Sequence, residues 1–63
     1  MPDRPRIRDS VWKEGLANGI VRYIDYESRE VIVYFYNSKS EESLDFDEFV
    51  CNFNERLNQW VIR

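Results

Sequence analysis

Histidine, the commonest acid–base side chain at neutral pH, is absent from this 63-residue chain, and there is one cysteine, Cys51. A thiol becomes a nucleophile when a base or a cation activates it. Neither stands beside Cys51, which falls between Val50 and Asn52, and the residue is expected as a small buried hydrophobe. One cysteine cannot form an intrachain disulfide, and without histidine a Cys/His zinc site lacks its ligands. No metal, cofactor or catalytic residue is therefore expected. Carboxylates are plentiful: Glu41, Glu42, Asp45, Asp47 and Glu48 form an acidic run. It reads either as a docking site for a basic partner or as a solvated loop leading into a charged helix start. The spacing lacks the glycine and the alternating acids of a calcium loop.

Two further groups could bind. The aromatic residues Trp12, Tyr23, Tyr26, Tyr34 and Tyr36 offer ring faces, and Tyr34 and Tyr36 share one side of a strand. Exposed apolar patches of that kind mark interfaces, whereas the bland reading has these rings covering the sheet. The cations Arg4, Arg6, Arg8, Lys13 and Arg22, with Arg29, could contact phosphates. The net charge of −3 and the isoelectric point near 4.8 work against that.

The length bounds the chain to one domain burying roughly 60% of its unfolded surface. Apolar residues make up 43% and aromatic residues 16%, so rings can build a core without disulfides. No apolar run approaches a membrane span, and the charged N-terminus is no signal peptide. A cytoplasmic location is the expectation, and an unpaired cysteine fits a reducing compartment.

The elements that must position these groups are mostly strands. Residues 1–9, with Pro2 and Pro5, read as a flexible arm, and residues 10–63 as the domain. Val11-Trp12 reads as a first strand and Asn18-Gly19 as a tight turn. The second strand runs from about Ile20 to Asp25. If both Val21 and Ile24 face the core, an extra residue lies between them, as in a β-bulge. A type I-based loop over Tyr26–Arg29 leads to the third strand, Val31 to Tyr36, where Val31, Val33 and Phe35 alternate with Ile32, Tyr34 and Tyr36. Asn37–Ser43 reads as a polar loop, and Leu44 with Phe46 as a short fourth strand. Asp47 is expected to cap a helical turn through Cys51. Residues 52–59 read as irregular, and Trp60-Val61-Ile62 as the last strand.

Five short strands, a bent hairpin and a helical turn before the last strand resemble an SH3-like barrel. Gly19, Val21, Ile24, Asp25, Val31, Val33 and Phe35 resemble the hairpin of its Tudor and KOW type. The resemblance implies an all-β, five-stranded SH3-like barrel. On its Tudor side it implies that aromatic rings could cage a methylated cation. On its KOW side it implies nucleic-acid contact through Arg4, Arg6, Arg8, Lys13 and Arg22.

The expected core is Val21, Ile24, Val31, Val33, Phe35, Leu44, Phe46, Phe49, Trp60 and Ile62. The expected function is a non-catalytic module that binds a protein partner, a basic one among the candidates. Its site would be Trp12, Tyr23, Tyr26, Tyr34, Tyr36, Glu41, Glu42 and Asp45. The alternative is the nucleic-acid module. The chain is expected as a monomer or weak homo-oligomer without membrane attachment.

Overall fold

A computed structural model describes residues 4–63. Six strands follow in order: β1 (Ser10–Lys13), β2 (Ala17–Asp25), β3 (Glu30–Phe35), β4 (Ser40–Asp45), β5 (Phe53–Asn54) and β6 (Gln59–Ile62). A single 3₁₀ turn, Phe46–Glu48, lies between β4 and β5. All belong to one sheet in the order β4-β3-β2-β1-β6-β5. Neighbours are antiparallel except β1 and β6, which run parallel, with Val11 opposite Trp60.

The sheet is open. β4 and β5 are its two ends, and no ladder joins them. A barrel needs every strand paired on both sides. The expected five-stranded SH3-like barrel of Tudor or KOW type is therefore not what the chain forms. The residues behind that resemblance do build the β2–β3 hairpin, but a hairpin pattern says nothing about whether the distant sheet ends meet.

β3 follows its alternation: Val31, Val33 and Phe35 are fully buried, while Ile32 and Tyr34 on the other face are half-buried. β2 carries the bulge. Its register with β3 shifts between Val21 and Tyr23, leaving Arg22 as the extra residue, so Val21 and Ile24 both reach the core.

Asn18-Gly19 is not a turn. It lies inside β2, and the reversal falls about three residues earlier, at Glu14–Leu16, where Gly15 has φ 89°. Gly19 serves close approach instead: a Cβ there would sit 2.6 Å from the Tyr34 carbonyl oxygen and 2.9 Å from Phe35 Cδ1. In the β2–β3 loop, Asp25 Oδ1 accepts from the backbone N–H of Glu27 (3.1 Å) and Ser28 (3.3 Å).

Ser40–Ser43, expected in a loop, belongs to β4, so Glu41 and Glu42 are strand residues. Only Leu44 of this strand is buried, because β4 is an edge strand with little core to face. Asp45, not Asp47, caps the following turn. Its side chain accepts from the Asp47 N–H at 2.8 Å, and the Glu48 carboxylate accepts from the Asp45 N–H at 3.0 Å, a reciprocal capping box. The turn ends before Cys51, which is exposed, with φ 62°, rather than buried. Residues 52–59 are less irregular than expected: Phe53-Asn54 pairs with Trp60-Gln59 around a turn in which Asn54 Oδ1 accepts from the Leu57 N–H (3.0 Å).

The core comprises Val11, Val21, Ile24, Val31, Val33, Phe35, Leu44, Phe49, Trp60 and Ile62. Val11 joins the expected set, and Phe46 is only partly buried against it. Trp60 is fully buried and meets Phe49 and Phe53 edge to face, at centroid distances of 5.5 and 5.0 Å.

Candidate functional site

The segment before β1 is held to the sheet. Pro5 is buried. The Arg8 N–H donates to the Val21 carbonyl (2.8 Å), and the Val21 N–H donates to the Asp9 carbonyl (2.9 Å), beside the bulge. Asp9 Oδ2 also accepts from the Arg6 N–H (2.8 Å) and from Trp60 Nε1 (3.0 Å). Residues 1–3 of the expected arm lie outside the described residues.

Register sets the face opposite the core. Ile20 stands opposite Tyr34, which stands opposite Glu41; Tyr23 stands opposite Ile32, which stands opposite Ser43. Trp12 stands opposite Asn18, whose carbonyl accepts from the Tyr36 N–H at 3.0 Å just past the end of β3. Three cross-strand rows therefore bring Trp12, Ile20, Tyr23, Ile32, Tyr34 and Tyr36 to one side of the sheet. Tyr34 and Tyr36 pack edge to face with centroids 5.7 Å apart. Arg22, pushed out by the bulge, places its guanidinium 5.7 Å from the Tyr34 ring centroid. Tyr23 is 60% exposed and Tyr36 50%.

The candidates do not all converge. Tyr26 sits on the β2–β3 loop, edge to face with Phe46 at 5.9 Å. Arg29 lies over that Phe46 ring (5.4 Å) and pairs with Asp47 at 3.0 Å on the surface. Of the five candidate rings, Tyr34 and Tyr36 alone stack on each other among the described residues, and the cation above Tyr34 is the chain's own Arg22. Glu41 and Glu42 are exposed on β4, and Asp45 is committed to its cap.

The cations are divided. Arg6 and Arg8 line a shallow concavity of about 320 Å³ with Asp9, Ser10, Phe53 and Asn58. Arg4 lines a different one of about 220 Å³ with Pro5, Arg29, Phe46 and Val50. Lys13 approaches Glu48 at 3.8 Å, and Arg22 lies on the aromatic face.

Sequence reasoning placed Ile32 on this face with Tyr34 and Tyr36 but missed Ile20. The alternation of Ile20 with Val21 was the available signal. It also missed the open edge of β4, for which no local signal exists. Among the described residues, no three His, Cys, Asp or Glu side chains gather closely enough to hold a metal ion, and no helix is long and apolar enough to cross a membrane. No protein-family model matches this chain, and no similar curated protein or solved structure was found.

Proposed function

We propose that this domain is a non-catalytic module that binds a protein partner through the aromatic side of its sheet. One observation carries the reading: Tyr23, Tyr34 and Tyr36 stand together opposite the core, with two of them at least half exposed. Tyrosine rings give large contact area at low entropic cost and keep a hydroxyl for hydrogen bonding, which is why they are enriched at interface centres. Arg22 and Glu41 would frame that centre with charges of opposite sign and set the partner's orientation. The lone exposed thiol supports a reducing compartment such as the cytoplasm.

The test compares capture of partners by the wild type, by Tyr23→Ser/Tyr36→Ser, and by Leu57→Ser. Leu57 is an exposed apolar residue on the β5–β6 turn. Partners lost with the tyrosine pair and kept with Leu57→Ser support the reading. Identical capture by all three proteins removes it.

A further inference from the structure

We infer that the open edge of β4 receives an extended, basic peptide segment by strand addition. The inference rests on the protein-binding reading and names the partner's chemistry. In an antiparallel ladder, residues alternate between exchanging hydrogen bonds with one neighbour and facing the other way. The Phe46 N–H donates to the Arg29 carbonyl (3.1 Å), while the Asp45 N–H turns away from β3 to Glu48. The β3–β4 register runs without a break from Asp45 to Ser40. Alternation then turns the N–H and C=O groups of Glu41 and Ser43 outward, away from β3. Both residues are exposed, and among the described residues no hydrogen bond outside the β3 ladder reaches the backbone of residues 41–44. This is a short template for an added strand.

Charge selects the occupant. Glu41 and Glu42 project to opposite faces of β4, so an added strand meets a carboxylate on each side. Lysine or arginine opposite them is favourable, and acid opposite them is not. The same rule disfavours a second copy. Pairing two β4 strands antiparallel through Glu41 and Ser43 can centre on Glu41, Glu42 or Ser43. The first sets Glu41 against itself, the second sets Glu42 against itself, and the third sets Glu41 against Asp45.

The experiment follows backbone amides by NMR while adding three seven-residue peptides to the full chain. One carries two adjacent lysines between valines, one carries two adjacent glutamates in their place, and one is the lysine peptide with every amide N-methylated. The expected result is slowed hydrogen exchange at Glu41 and Ser43 with the lysine peptide, and binding roughly tenfold or more tighter than the glutamate peptide. N-methylation of every peptide amide should abolish binding. Ser43→Pro removes an outward N–H without touching the β3 ladder and should also abolish it. Glu41→Lys/Glu42→Lys, which leaves the backbone alone, should transfer preference to the glutamate peptide. Binding that shifts only Tyr23, Tyr34 and Tyr36 amides overturns the edge while leaving the aromatic face standing. Protection of Glu41 and Ser43 by self-association without peptide, or no binding of any peptide, overturns it too.

Discussion

Asp9 joins the segment before β1 to the centre of the core, and replacing it is expected to destabilise the domain severely. Its Oδ2 is the acceptor for Trp60 Nε1 at 3.0 Å, and Trp60 is fully buried. Asp9→Ala leaves that indole N–H without its partner, which costs about 1–3 kcal/mol. The Arg6 N–H also loses its acceptor, but it is exposed and water replaces the bond. A domain of this length has a total stability of roughly 3–9 kcal/mol, so the loss is a large share of it. A loss of ~2 kcal/mol lowers Tm by about 8–16 °C in a domain of this size. Asp9→Asn keeps an oxygen acceptor and should lose less than half as much. The assay is urea unfolding of both variants, of Trp60→Phe and of the double variant Asp9→Ala/Trp60→Phe. Trp60→Phe removes the donor, so a coupling of about 1–2 kcal/mol is expected across the cycle. A coupling near zero, or an Asp9→Ala protein that melts with the wild type, would refute the reasoning.

Gly19→Ala should destabilise by about 1–3 kcal/mol or prevent folding, because its Cβ would collide with the β3 backbone; a melt equal to wild type would show that β3 can move aside. Phe35→Ala should cost ~3–5 kcal/mol, read as a large drop in the urea midpoint, or as loss of the folded circular-dichroism spectrum if the domain is at the low end of its stability range. Cys51 should react with a maleimide in the native protein as completely as in urea; protection without denaturant would return it to the interior. Glu48→Ala opens the capping box and should cost about 1 kcal/mol, read from the urea midpoint.

The core was legible where period-two alternation is strong, as in Val31, Val33 and Phe35. The spacing of Val21 and Ile24 also revealed the bulge, because a surplus residue between two inward positions has few other solutions. Asn18-Gly19 misled because its glycine answers a steric demand from β3, which is distant in sequence. β4 was half hidden because an edge strand has one poorly covered face and needs no apolar alternation. Asp45 and Glu48 carried a readable cap, three residues apart, which the neighbouring Asp47 obscured. The tyrosine pair of the candidate site followed from strand period. The failure of β4 to meet β5 follows from tertiary packing, which no local pattern records.

The parallel pairing of β1 with β6 also bears on how the chain finds its fold. β2, β3 and β4 form consecutive hairpins that close short loops, events of roughly 1–10 μs each. β1 and β6 are joined across nearly the whole described sequence, so their pairing waits on the largest loop closure and its entropy. Trp60 arrives with that late strand, carrying the ring that Phe49, Phe53 and Asp9 all meet. On loop-closure grounds the meander is the expected nucleus and β6 the closing latch: in stopped-flow chevrons, truncations in β2 or β3 are expected to slow folding and truncations in β6 chiefly to hasten unfolding, and the reverse pattern would overturn this order.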